Sequence, residues 1–155
     1  MLSHFEEKYL PYSREKMFAL VAAVDQYKEF APWCVASRIK KWEGDDVFLA
    51  DLIVGYKVFR EKFSSRVFLK EPDEIYIEYQ EGPLKNLKNK WVFKEADDGG
   101  CLIEFSVEFE FKNAALQTLA NLFFTEVVKR MVSAFEARAI ELYGAPNSSG
   151  SPQSA

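Results

Sequence analysis

The sequence predicts an α+β domain, a curved antiparallel β-sheet wrapped around one long C-terminal α-helix. Three observations predict it. Between Val35 and Phe111 apolar and polar residues alternate with period two, and the runs break at turn signals such as "EGDD", "EGP" and "DDGG". No helical pattern separates these runs, so they join as hairpins, the mark of an antiparallel rather than a parallel sheet. After Asn113 the pattern turns helical and holds to about Tyr143. A long helix that follows a curved antiparallel sheet has one obvious place to go, the concave face.

Taken in order, residues 4–10 read as a first strand, with Phe5 and Tyr9 on one side. Ser13 is a good N-cap for a helix through "REKMFALVAAV". Glu15 suits the positive end of that helix, and Phe18, Val21 and Ala22 recur at helical spacing. "DQYKEF" reads as a further helical turn stopped by Pro32, which lacks an amide hydrogen and clashes with the turn before it. Strands follow over Val35–Trp42, Val47–Val54, Phe59–Lys70, Ile75–Gln80 and a segment ending in Trp91 and Phe93. The last strand is the cleanest. Cys101, Ile103, Phe105, Val107, Phe109 and Phe111 face one way, and Glu104, Ser106, Glu108 and Glu110 the other. Asn113 caps the long helix, Gly144 ends it and Pro146 confirms the stop. Residues 1–144 therefore form one domain. Residues 145–155, "APNSSGSPQSA", are low-complexity and expected to be a disordered tail.

Composition narrows the function classes. The chain is 48% hydrophobic and 28% charged, ordinary for a globular protein, but aromatic residues reach 15%, 14 of them Phe. A formal net charge of −4 argues against a nucleic-acid-binding surface. Two cysteines without a Cys-x-x-Cys pattern fit a reducing compartment. The longest apolar run, Met17–Val24, falls far short of the ~20 residues needed to span a bilayer. The first ten residues have neither a basic n-region nor an Arg-rich amphipathic pattern, so they read as neither a signal nor a transit peptide.

The long helix carries more apolar residues than one face needs. At about 100° per residue, Leu116, Leu119, Ala120, Phe123, Phe124, Val127, Val128, Met131, Val132, Ala134 and Phe135 cover roughly 200°. A surface helix needs a stripe only a little over ~100° wide. Phe63, Val67, Trp91, Phe93, Phe105 and Phe109 are the strand residues expected to face it. Two readings stay open on these residues alone. One is a dry core inside a deeply curved sheet; the other is a helix closing over a cavity for a lipophilic ligand. A lining and a core share one composition. Arg138 falls near the middle of the arc, either snorkelling from the helix end or as a buried partner for a carboxylate or a polar ligand head.

Catalytic signals are weak. His4 is the only histidine, so a Ser-His-Asp arrangement or a His-rich metal site is not expected. There is no Gly-x-Ser-x-Gly, P-loop or Gly-x-Gly-x-x-Gly. Cys34 has no cation beside it in sequence to lower its pKa and reads as structural. "FREKFSSR" and "LKNLKNK" mix basic and apolar residues, either as exposed strand ends or as a surface touching anionic membrane. Membrane contact, where it occurs, is expected at "FAPW" and "GPLKNL", through Phe30, Trp33, Leu84 and Leu87.

Five stretches together resemble the coenzyme Q-binding protein family of the START and polyketide-cyclase-like superfamily. They are "YSREKMFALVAAVDQYKEFAPWCVAS", "FREKFSSRV", "GPLKNLKNKWVF", "IEFSVEFEFKN" and "LFFTEVVKRMVSAFEARAIELYG". The resemblance implies a helix-grip fold of the START and Bet v 1 type. It also implies a non-enzymatic protein that binds ubiquinone or a related polyprenyl lipid and supports respiration and quinone synthesis. The residues then expected to line the cavity are Phe30, Trp33, Phe63, Val67, Leu84, Trp91, Phe93, Phe105, Phe109, Leu119, Phe123, Phe124, Val127 and Met131. No catalytic residue, metal or resident cofactor is expected, ubiquinone being the ligand. Partners would be the lipid, a membrane surface, and proteins of respiration or quinone synthesis. The expected location is the bacterial cytoplasm beside the inner membrane, with the matrix side of the mitochondrial inner membrane as the alternative. Bacterial relatives described as ribosome-associated toxins make a module that blocks subunit association the competing function. Its ribosome-facing surface should be basic, which an acidic chain does not favour. An enzyme of the cyclase type ranks last, because the inward strand positions identified are nearly all apolar.

Overall fold

The structure is a computed structural model and describes residues 2–56 and 59–145. The expected tail beyond Ala145, with Pro146, lies outside the described residues. The chain runs β1 (Leu2–Leu10), α1 (Arg14–Ala22), a 3-10 helix (Val24–Glu29), β2 (Cys34–Trp42), β3 (Val47–Tyr56), β4 (Phe59–Lys70), β5 (Glu74–Glu81), β6 (Leu84–Glu95), β7 (Cys101–Phe111) and α2 (Ala114–Tyr143). This is the expected order. The strands form one seven-stranded sheet in the order β1-β7-β6-β5-β4-β3-β2, antiparallel throughout.

Each helix starts where its cap requires. The Ser13 hydroxyl accepts from the Lys16 amide at 3.2 Å, and Asn113 Oδ1 accepts from Ala115 and Leu116 at 2.8 and 3.0 Å. Both satisfy amides that would otherwise have no partner in the first turn. Gly144, with φ of 89°, ends α2 and donates to the Ile140 carbonyl at 2.8 Å. The turn expected at "DQYKEF" is a 3-10 helix, and the chain leaves it through Trp33, which holds a left-handed φ of 62°.

Only β1 closes the sheet by a long-range pairing, from Leu2 opposite Phe109 to Leu10 opposite Cys101. This brings the two ends of the domain together. The side of β1 carrying Phe5 and Tyr9 faces water, and Phe5 is 63% exposed. His4, Glu6 and Lys8 occupy the inner row instead. The core is built from Met17, Phe18, Leu20 and Val21 of α1 against Phe48, Val67, Ile75, Phe93, Cys101 and Ile103 of the sheet.

The wide apolar arc of α2 divides. Val128, Phe135 and Ala139 are buried, and Phe124, Val127, Met131 and Val132 flank them on the sheet side. Leu119 and Phe123, at the far margin of the arc, are 42% and 48% exposed. Part of the excess apolar surface therefore meets water.

Candidate functional site

Between α2 and the sheet lies a cavity of about 130 Å³. Strands β6 and β7 form one wall, with Trp91, Ile103, Phe105, Val107 and Phe109. Leu10, Met17 and Val21 form the floor. Phe124, Val127, Val128, Met131, Val132 and Phe135 of α2 form the roof. Trp91 is the one wall residue with a polar atom, and its indole nitrogen donates to Asn89 Oδ1 at 3.3 Å. Asn89 is held in turn by donating to the Ser106 carbonyl at 2.9 Å. The aromatic surfaces meet edge-on or tilted, not stacked. Trp91 lies 4.7 Å from Phe105 and 5.2 Å from Phe135, and Phe109 lies 5.6 Å from Phe124.

Polar groups are confined to one side. Glu6 and Lys8 of β1 and Glu136 of α2 complete the lining. Lys8 Nζ pairs with Glu136 Oε2 at 3.1 Å, and His4 Nε2 lies 2.9 Å from Glu6 Oε1. A groove of about 460 Å³ adjoins the cavity on the outer side, between β1 and α2. It shares these residues and adds His4, Thr125, Lys129 and Ser133. The His4 ring rests 6.2 Å from Phe124 and 6.4 Å from Phe105. The only histidine thus stands at the mouth of the cavity.

Of the residues expected to line a cavity, Trp91, Phe105, Phe109, Phe124, Val127 and Met131 are brought together there. The others are not, and the physical reasons differ. Val67 and Phe93 are buried in the core below, Phe93 edge-on to Phe18 at 5.5 Å. Phe63 shares the inner row of β4 with Val67 but sits away from the cavity. Leu84 is buried where β6 begins, so it is not on a loop open to a membrane. Leu87, also on β6, is half-buried. Phe30 packs 5.1 Å from Phe135 on the opposite flank of α2. Trp33 lies 6.1 Å from Tyr56, with the Arg130 guanidinium 6.0 Å from its ring. Leu119 and Phe123 point outward.

Glu6, Lys8 and Glu136 were not expected at the site. The alternation of "SHFEEKY" carries a signal, but apolar preference assigns Phe5 and Tyr9 to the inside and so selects the wrong face. Arg138 is not a cavity group either. Its stem is largely buried, its guanidinium lies 5.1 Å from the Phe30 ring, and it donates to Glu141 at 2.8 Å.

The thiols are poor nucleophiles here. Burial pushes the Cys34 thiol up, and that of Cys101 up to about 11. Among the described residues, no cluster of three His, Cys, Asp or Glu side chains is placed to hold a metal, and no helix is long and apolar enough to cross a membrane.

This geometry has relatives. Residues 10–136 match the family described as polyketide cyclase / dehydrase and lipid transport. The chain is 36% identical over 147 residues to a mitochondrial coenzyme Q-binding protein homologue of Xenopus laevis, covering 92% of this chain but only 60% of that one. It is 35% identical to the ribosome association toxin of Rickettsia prowazekii, over 92% of this chain and 99% of that one. Among solved structures, an 18 kDa protein from Caulobacter crescentus is 34% identical with a TM-score of 0.76, covering 94% of this chain and all of the other. A START superfamily protein from Mycobacterium smegmatis shares the fold with a TM-score of 0.77, over 90% of this chain and 98% of that one, at only 16% identity. With its helix-grip sheet and helix, the chain belongs to the polyketide cyclase / dehydrase and lipid transport family, in the branch that holds the coenzyme Q-binding proteins and the ribosome association toxins.

Proposed function

We propose that this protein binds a polyprenyl quinone, or a lipid of the same build, in the cavity under α2 and carries it without chemical change. One observation carries the reading: the walls, floor and roof are apolar, and every charged lining group sits on one side. A ligand with a hydrocarbon tail and a polar head matches that division. The relative named for coenzyme Q supports the ring chemistry. Transfer catalysis would need polar groups converging in the interior, and among the described residues the one polar atom on the apolar walls, the Trp91 indole nitrogen, is already hydrogen-bonded.

A cavity of about 130 Å³ holds one small ring, since a cavity of ~150 Å³ accommodates benzene. Ligand pockets usually run to several hundred Å³. Loading therefore requires the first half of α2 to swing away from β7. That half is held weakly, with none of Ala114–Val127 buried. It also exposes Leu119, Leu122 and Phe123. Residues 113–125 carry no charge in a chain of net charge −4, so this surface does not repel anionic lipid. It is the face through which the protein would meet a membrane to collect its cargo, in place of the "FAPW" and "GPLKNL" segments.

The test uses the wall itself. Purified protein is extracted with organic solvent for mass spectrometry, and quenching of Trp91 by added short-tailed ubiquinone is followed. The expected result is a co-purified prenyl lipid and quenching that Trp91→Phe removes. No lipid and no quenching would defeat the reading.

A second reading, association with the ribosome, is favoured by coverage of nearly the full length of a relative so named. Against it, three of the four exposed lysines of β6 are matched to acids: Lys85 to Glu110 at 3.4 Å, Lys90 to Glu74 at 3.6 Å and Lys94 to Glu104 at 2.7 Å. Binding RNA needs cations free to meet phosphates. Co-sedimentation with ribosomal subunits at physiological salt decides between them.

A further inference from the structure

We infer that His4, Glu6 and Lys8 on β1, with Glu136 on α2, form a head-group site that takes an uncharged ring bearing carbonyl or hydroxyl oxygens, its tail running inward under α2. The inference rests on the carrier reading above and adds where the head lies and which heads are accepted.

The geometry comes first. A strand side chain recurs on the same face every second residue, so His4, Glu6 and Lys8 form one row along the inner edge of the sheet. Glu136 meets the end of that row from the helix, 3.1 Å from Lys8. All four side chains are between 29% and 39% exposed. They are reachable from the groove yet not fully surrounded by water. The groove, about 460 Å³, is large enough for a substituted ring, and it adjoins the apolar cavity, with which it shares Glu6, Lys8, Phe124, Val128, Val132 and Glu136. Phe124, against which His4 rests, lines both spaces.

The chemistry follows. The Lys8 ammonium has three donors, and the Glu136 contact accounts for one. A quinone carbonyl can take another without breaking the pair. The carboxylates of Glu6 and Glu136 accept only, so they suit the hydroxyls of the reduced ring. The row therefore offers partners to both redox forms. Charges balance at the groove: Glu6 and Glu136 against Lys8 and Lys129, with His4 beside Glu6. An anionic head, such as a phosphate or a fatty-acid carboxylate, reaches Lys8 or Lys129 only by bringing a further negative charge against the Glu6 and Glu136 carboxylates that line the same groove. The site thus selects against anionic heads by like-charge repulsion as well as for neutral ones by contact.

The experiment measures displacement of phenylnaphthylamine, a neutral apolar dye, by three competitors: a short-tailed ubiquinone, a prenyl hydrocarbon with no head, and a prenyl phosphate. The wild-type protein should prefer the quinone to both others. Lys8→Met should weaken quinone binding about tenfold, the loss of one charge-assisted hydrogen bond, and leave the hydrocarbon within about twofold, so the preference collapses. Glu136→Leu reads the same ratio where Lys8→Met fails to fold. Equal losses for quinone and hydrocarbon, or no loss for either, overturn the head-group site while the carrier reading stands. Tighter binding of the phosphate than of the quinone overturns the choice of a neutral head. A wild-type protein that binds none of the three removes the carrier reading, and this site with it.

Discussion

At the β2 edge of the sheet the 3-10 helix is tied down by a network of part-buried hydrogen bonds around the buried Ser37, whereas at the β1 edge α2 meets the sheet across an ion pair that water reaches. On the first side, Ser37 is buried. Its hydroxyl accepts from the Lys28 amide and donates to the Asp25 carbonyl, both at 3.1 Å. Lys28 Nζ returns to the Ser37 carbonyl at 3.2 Å. The Tyr27 hydroxyl donates to the Val21 carbonyl. Tyr27, Phe30 and Phe135 pack nearly at right angles, with centroids 5.1 to 5.7 Å apart. On the second side stand a cavity and the half-exposed Lys8–Glu136 pair, and partly solvated pairs of this kind contribute at most ~1 kcal/mol. The same helix serves both: its second half anchors through Phe135 and Ala139, and its first half lies over the sheet with its outer apolar residues in water. The difference teaches where the fold opens. Stability is concentrated at one edge, which leaves the other free to move.

The largest expected effect breaks the anchor. Phe135→Ala removes the ring that joins Trp91, Tyr27 and Phe30 and should cost about 3–5 kcal/mol in denaturant unfolding. Phe123→Ala, at the exposed margin of the same helix, should stay within ~0.5 kcal/mol of wild type. Equal losses would erase the contrast between the halves of α2. Next comes Ser37→Ala, which removes the acceptor of the Lys28 amide, while the Asp25 carbonyl keeps Lys28 Nζ at 2.7 Å, and should cost about 1–3 kcal/mol. Lys8→Met at the opposite edge should cost less than ~1 kcal/mol of stability; a larger loss there would mean that the β1 edge is also a fixed one.

A pH series sharpens the same comparison on the outer face. Burial raises the Asp51 carboxyl, but hydrogen bonds from Ser64 at 2.7 Å and from Arg38 at 3.0 and 3.2 Å outweigh it and hold the pKa below the usual value. A carboxyl depressed in the folded state contributes stability that is fully present above its unfolded value of about 3.9 and is lost as pH falls through the folded value. Asp51→Asn should therefore cost about 1 kcal/mol at neutral pH, with the gap to wild type closing in acid. A gap that persists at low pH would assign the effect to packing.

The smallest change in stability goes with a clear change in binding. Leu122→Ser with Phe123→Ser should leave the melting temperature nearly unchanged, because both side chains are already exposed. Co-sedimentation with anionic vesicles should fall. Unchanged sedimentation would remove the first half of α2 as a membrane face.

Period and punctuation by themselves determined the order of elements, both helix caps, the hairpin sheet and the place of the long helix. Local chemistry suffices for these: an N-cap needs only its own turn, and a hairpin only its two strands. Which face of β1 turns inward was decided by the tertiary structure. Alternation sets two faces, but the register with β7, Glu6 opposite Phe105 and Lys8 opposite Ile103, sets which one meets the cavity. That pairing joins residues about a hundred positions apart. It overrides the apolar preference of Phe5 and Tyr9 and brings His4, Glu6 and Lys8 to α2. The width of the apolar arc on α2 was legible too, but its division was not. Phe124 and Phe123 are neighbours of one chemical type. One roofs the cavity and the other faces water because the sheet covers only part of the arc, and how much a curved sheet covers depends on all seven strands at once.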